Sequence, residues 1–541
     1  MTATPAASAS APSGRRAAAI PDARRADAVI TLRDASGQPL AHVDVQVEQA
    51  RQDFAFGNIG FDLIPLANGE TDAEQAGVET FGGARLEGLE RLAEQWLAVF
   101  DTATLPFYWG RFEPVRGRPD TERLRTTARW LRERGVDVKG HPLVWHTVTA
   151  PWLLDLPLEE VERVQRERIR RDVRDFAGLV GTWDAINEAV IMPVFDREDN
   201  GITRLAAARG RLAMVRLAFE EARAADPAAT LVLNDFDLSP AYEELIEEVL
   251  GAGIAVDAIG LQTHMHQGYR GEEQVLGIVD RFARFGLPIH MTETTLLSGD
   301  PMPPEITDLN DFQVRSWPST PAGEERQADE IERHYRSLVG HPAVAAITYW
   351  GLTDDGMWLN APGGLVRADG TPKPSYEALR RLIREDWRLA PTTLRTDAAG
   401  RISVTAFAGD VRVTHAGREA VVPVAAGATA PPKWGSRPEA VTSYGCRSSR
   451  RSSTCRTRGG HRPSTCSPGT NRCSPSHDGS VDPLPRIAAP TSPHHPPVTR
   501  NAGTHPMNPS SALDRARRPR LPASTRTSET PRRLDALLGT R

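Results

Sequence analysis

Between Phe54 and Glu385 the chain alternates eight times between two hydrophobic periods. Short β-type runs lie at 54–60, 102–106, 136–145, 182–187, 230–234, 257–263, 288–293 and 345–350. Longer runs follow them with apolar residues at i, i+3 and i+4, as at Leu86, Leu89, Leu92, Trp96 and Val99. Parallel strands need crossover helices, and eight strand–helix units close into a barrel. The expected fold is therefore α/β, a (β/α)₈ TIM barrel over residues 54–388. An open doubly wound sheet is the alternative, but no G-x-G-x-x-G follows the first strand.

The flanks have other periods. In 26–53, Val43, Val45 and Val47 alternate with polar residues after a D-A-S-G turn at Asp34–Gly37, which suggests two strands. In 389–430, a D-A-A-G turn at Asp397–Gly400 precedes alternation around Ile402, Val404, Val411 and Val413, which suggests a β-meander. Each extension has too few strands to stand alone, so the two are expected to pack together. Residues 1–25, rich in Ala, Ser and Pro, read as disordered and show no apolar core of a secretory signal. That leaves localisation open.

Residues 431–541 contain only 10 Leu, Ile, Val and Phe among 111, too few for a core, and read as a low-complexity disordered tail. The four cysteines, Cys446, Cys455, Cys466 and Cys473, lie there without a C-x-x-C pair, so no zinc site is expected. The tail carries 19 Lys+Arg against 6 Asp+Glu, which leaves 46 against 64 in the remainder. So acidic a body argues against nucleic acid as a partner. No run of about 18 apolar residues exists, so no membrane helix is expected. Nothing bears on oligomeric state.

In a barrel of this kind the chemistry belongs at the C-terminal ends of the strands. The candidates there are Asn187 and Glu188, Gln262 and His264, Glu293, His141 and Trp145, and Trp350 with Trp358 beyond it. Residues two apart on a strand share a face, so Gln262 pairs with His264. Two Glu residues on different strands suit glycoside hydrolysis, one donating a proton and the other attacking the sugar or activating water. Indoles offer faces for sugar rings, and amides and imidazoles offer hydrogen bonds. Either Glu alone has a bland reading as a helix cap. His264 and His266 alone make no metal set, so no metal or cofactor is expected.

Six motifs, in order, carry a resemblance. They are Gly140–His146 (GHPLVWH), Trp183–Glu188 (WDAINE), Leu233–Phe236 (LNDF), Gly260–His264 (GLQTH), Thr292–Glu293, and Thr348–Asp354 (TYWGLTD). Over about residues 54–387 the chain resembles glycoside hydrolase family 10, the endo-1,4-β-xylanases. The resemblance implies a retaining (β/α)₈ glycosidase acting on polysaccharide or oligosaccharide. It implies Glu188 as acid/base, Glu293 as nucleophile, Asn187 on the sugar 2-hydroxyl and His264 orienting the nucleophile. His141, Trp145, Gln262, Trp350 and Trp358 match positions that line the sugar subsites.

The chain also departs from that pattern. Where the family reads E-N-x-x-K-W to bind the second sugar on the non-reducing side, this chain reads Thr104 to Trp109, with Thr104, Leu105 and Tyr108 at the Glu, Asn and Lys positions. Val148 replaces the Gln of W-H-S-Q, and Thr294 and Thr295 replace the Leu-Asp after the nucleophile. Tyr108 would present a flat ring to that sugar, so weak turnover of plain xylan is expected. Three readings follow: an endo-xylanase, the same mechanism on another β-glycoside, and a barrel that only binds carbohydrate.

Overall fold

The computed structural model describes residues 20–70 and 88–426. The tail at 431–541, its cysteines and most of the 1–25 segment lie outside the described residues. Residues 22–25 are ordered, contrary to expectation. Asp22–Arg24 form a short 3-10 turn, and Arg24 is buried. Its guanidinium donates to Val339 O at 2.9 Å and His341 O at 2.8 Å, at the end of the helix Pro321–Gly340. Helix ends leave carbonyls without partners, and this side chain supplies the donors.

The flanking strands are β1 (Arg25–Thr31), β2 (Asp44–Gln52), β11 (Thr392–Arg395), β12 (Arg401–Phe407), β13 (Gly409–His415) and β14 (Arg418–Val424). The first flank makes no two-stranded unit of its own, and the second pairs within itself only between β13 and β14. β1 pairs with β12, while β2 lies between β11 and β13, and β13 also pairs with β14. The physical reason is the core: Ala26, Ile30, Val45 and Val47 from one flank meet Ile402, Val404, Val411 and Val413 from the other. Pairing β1 with β2 would have left those faces half covered.

Between them lie β3 (Ala55–Ile59), β4 (Thr102–Pro106), β5 (Asp137–His141), β6 (Thr182–Asn187), β7 (Thr230–Asp235), β8 (Ala258–His264), β9 (Ile289–Thr295) and β10 (Val344–Tyr349). They form a closed, all-parallel barrel, with β10 returning to β3. The fold is therefore the α/β (β/α)₈ TIM barrel. Burial on both faces explains why β4, β6 and β9 are buried along their whole length.

Two details differ from the sequence reading. Where units of one strand and one helix are expected, the crossover after β6 has two helices, Gly201–Arg209 and Arg211–Ala225, broken at Gly210, whose φ of 85° suits glycine. Strand β5 stops at His141, because Pro142 has no N–H to continue the ladder. Trp145 thus sits on the loop after β5, not on the strand.

Candidate active site

Glu188 follows the last residue of β6 with φ of 58°, a left-handed conformation that costs a non-glycine residue about 1–2 kcal/mol. Strand β7 holds it there. The Glu188 N–H donates to Asn234 O at 2.8 Å, and the Val190 N–H donates to Asp235 Oδ2 at 3.0 Å. Glu293 lies within β9. A register irregularity between Leu261 and Gln262 sets Gln262 opposite Glu293, so β8 delivers its amide to the same point.

A chain of side-chain amides joins the two carboxylates. Asn187 Nδ2 donates to Glu188 Oε1 at 3.1 Å. Gln262 Nε2 donates to Asn187 Oδ1 at 3.0 Å and to Glu188 Oε1 at 3.3 Å. Asn234 Nδ2 donates to Asn187 Oδ1 at 2.7 Å and to Glu293 Oε1 at 3.1 Å. The Thr292 hydroxyl donates to Asn234 Oδ1 at 2.5 Å, which fixes the amide's orientation. Trp145 Nε1–H donates to Glu188 Oε2 at 2.7 Å.

His264 completes the surroundings of Glu293, with Nε2 at 3.2 Å from Oε2 and Nδ1 at 3.0 Å from the Thr295 hydroxyl. A hydroxyl can donate to Nδ1, which leaves Nε2–H to donate to Glu293. Thr295, noted above only as a departure, is therefore the group that orients this imidazole. His141 Nδ1 lies 2.6 Å from Asp184 Oδ2, and the same oxygen meets Lys139 Nζ at 2.8 Å.

Burial separates the charge states of these acids. It is the main cause that pushes the Glu188 carboxyl up to about 8, with Glu293 and Asp235 adding repulsion and Trp145 and Gln262 opposing. The repulsion from Glu293 is thus secondary to desolvation. Burial likewise lifts Asp235 to about 7. For Asp184 burial also acts upward, but the Lys139 ammonium and His141 outweigh it and hold the carboxyl below its ordinary range. His146 Nε2 lies 3.8 Å from Glu188 Oε2, and burial lowers this imidazole to about 3, so it is neutral.

Rings close one side of the mouth. Phe61, Tyr108 and Trp350 form a buried cluster with Ile59, Trp145 and Val148 around it. Phe61 meets Tyr108 and Trp350 edge-on, with centroids 6.2 and 5.9 Å apart. Tyr108 and Trp350 also meet His141, at 5.5 and 5.3 Å. Trp358 lies 5.0 Å from His264.

All ten sequence candidates thus border one mouth: Glu188, Glu293, Asn187, Gln262, His264 and Trp145 through hydrogen bonds, and His141, Tyr108, Trp350 and Trp358 through ring contacts. Leu105, read above as part of the sugar-facing wall, is not there. It is wholly buried in the main apolar core, whereas Thr104 is buried with its hydroxyl unpartnered among the described residues. Residues two apart on a strand share a face, so Leu105 belongs with Ala103 against the helices. Sequence reading missed Asn234, Asp235, Asp184, Lys139 and Phe61. Asn234, Asp235 and Asp184 stood inside quoted motifs, and for Asn234 and Asp235 the end of β7 was the available signal. Among the described residues no group of His, Cys, Asp and Glu could hold a metal ion.

Comparisons with known proteins bear on family and fold. Endo-1,4-beta-xylanase B of Thermotoga neapolitana is 29% identical over 297 residues, covering 51% of this chain and 78% of that protein. Endo-1,4-beta-xylanase C of Paenibacillus barcinonensis is 24% identical over 282 residues, which span 46% of this chain but only 24% of that protein. The crystal structure of xylanase 10B from Thermotoga petrophila RKU-1 in complex with xylobiose superposes with a TM-score of 0.50 at 23% identity. The match covers 62% of this chain and 94% of that one, and it speaks to fold alone. The sequence profile described as glycosyl hydrolase family 10 matches residues 102–382, more than half of the chain, and the chain belongs to that family of glycoside hydrolases.

Proposed function

We propose that this chain is a retaining β-glycosidase of the endo-1,4-β-xylanase kind, with Glu188 as acid/base and Glu293 as nucleophile. The observation that carries the reading is the contrast between the two carboxyls. Glu188 is mostly shielded from solvent and raised to about 8, which keeps a proton available, while Glu293 accepts from Asn234 and His264 within a fixed frame. Glu293 attacks the anomeric carbon as Glu188 gives its proton to the departing oxygen. Glu188 then takes a proton from water, and that water displaces Glu293, so the sugar keeps its β configuration.

Proton NMR of the first product tests this. Initial release of the β-anomer supports double displacement, and initial release of the α-anomer would overturn it. Glu293→Ala should abolish turnover of every substrate. Glu188→Ala should spare aryl glycosides, whose leaving groups need no proton, at the first step. Equal loss on aryl and unactivated substrates would reject the assignment.

For substrate, xylan and xylo-oligosaccharides are the first reading, supported by the relatives. A second reading keeps the mechanism on a different β-glycoside. It is favoured by Tyr108, which stands at the family's Lys position and packs into a buried cluster with Phe61 and Trp350. A reducing-sugar assay on xylan, beside an aryl β-xyloside and an aryl β-glucoside, separates the two.

A further inference from the structure

Among the described residues eight large apolar side chains are exposed. Val29 and Val421 belong to the flanking strands. The other six, Val115, Leu154, Val194, Phe236, Val314 and Trp358, all lie on loops that follow barrel strands, at the C-terminal face. Single exposed hydrophobics are ordinary, but their collection at one face is not.

Their placement about Glu188 gives the collection a direction. A proton donor sits beside the departing oxygen, so the leaving group lies on the Glu188 side. Val194, 66% exposed, lies six residues beyond Glu188 on the same loop. Phe236, 46% exposed, directly follows Asp235, which bonds that loop. Arg197 carries the loop across to the one after β9, contacting Asp308 at 2.6 Å and Asp311 at 2.8 Å. There Phe312 and Trp317 are half-buried with centroids 4.7 Å apart. A run of rings returns from Trp317 through His266 (6.2 Å) to Trp358 (5.1 Å) and so to His264 beside Glu293. Neither ring nitrogen of the buried His266 has a partner among the described residues, and burial keeps it neutral.

We infer that this rim is a leaving-group site for a bulky apolar alcohol or phenol, and that the natural substrate is its β-glycoside rather than a polymer. The inference rests on the glycosidase reading above. A sugar in that place would gain stacking on the rings but no hydrogen bond from Val194, Phe236 or Phe312, whereas a hydrocarbon surface needs only area.

Methyl and hexyl β-xylosides test this, because their leaving groups have nearly equal acidity and differ mainly in apolar area. The hexyl glycoside should show kcat/KM higher by about tenfold or more, mainly through KM. Val194→Asp and Phe236→Asp, at exposed positions, should lower that hexyl-to-methyl ratio severalfold, and Val29→Asp and Val421→Asp should leave it unchanged. Hydrolysis of xylo-oligosaccharides with a hexyl-to-methyl ratio near one would overturn the inference and keep the glycosidase reading. No turnover of any xyloside, xylo-oligosaccharide or aryl β-glucoside would overturn both. A ratio that falls equally in the Val29 and Val421 variants would also count against the rim.

Discussion

Glu188 meets two demands that conflict at a single carboxyl. As an acid it must hold a proton near neutrality, and burial does that by raising it to about 8. The unfolded chain titrates near the ordinary value of 4.5, so the native state binds more protons between about 4.5 and 8. Stability from this group is complete below that window and is lost as pH rises through it. Glu188→Gln, which never ionises, should therefore gain melting temperature relative to the wild type as pH rises from about 5 to 9. Calorimetry across that range checks the sign. For the native enzyme, kcat/KM on an alkyl β-xyloside should fall as pH passes about 8, and a fall near pH 5 would contradict the assignment. Leu105 supplies a contrasting case. Making it Asn would bury an amide in the main core, at a cost of about 2–5 kcal/mol, read as a lower denaturation midpoint, and would restore no sugar contact.

At the level of elements, the loops after β4 and β5 carry Tyr108 and Trp145, and one helix holds both. Arg168, buried on the helix Leu158–Asp175, donates to Leu143 O at 2.7 Å, to Pro142 O at 3.3 Å and to Phe107 O. Its charge is met by Asp172 at 3.2 Å. Arg168→Met should cost about 3–5 kcal/mol, because it leaves Asp172 short of a buried partner and several carbonyls without donors. Thermal unfolding measures the cost, and KM should rise with it as Tyr108 and Trp145 lose their anchor. The strand–helix alternation made the barrel legible because period is a local property: β4 and β6 begin and end where the pattern does. Pairing of the flanks was illegible, since nothing local to β1 names β12 as its partner. The site was legible where a motif ended a strand, as at Asn187, Glu188 and His264. Phe61 and Arg168 act through contacts with distant loops, and no spacing announces those.

The whole molecule is closed by its flanks. β2 is the middle of this closure, with β11 on one side and β13 on the other. The Gln46 amide donates to the Thr393 hydroxyl at 2.6 Å across a sequence separation of 347 residues. Synthesis proceeds at about 5–20 residues per second, so β2 leaves the ribosome roughly 17–70 s before its first neighbour exists. Throughout that interval both of its hydrogen-bonding edges are open, and open edges recruit other chains. A nascent chain that stalls, or a gene cut before codon 392, should therefore aggregate even with all eight barrel strands made, and light scattering of such a truncation would reveal it. Removal of 1–53 along with that cut should relieve the aggregation. The strands at the two flanks thus act as a timer: the barrel is assembled first, and the polypeptide becomes safe from its neighbours only when β11 and β13 have arrived.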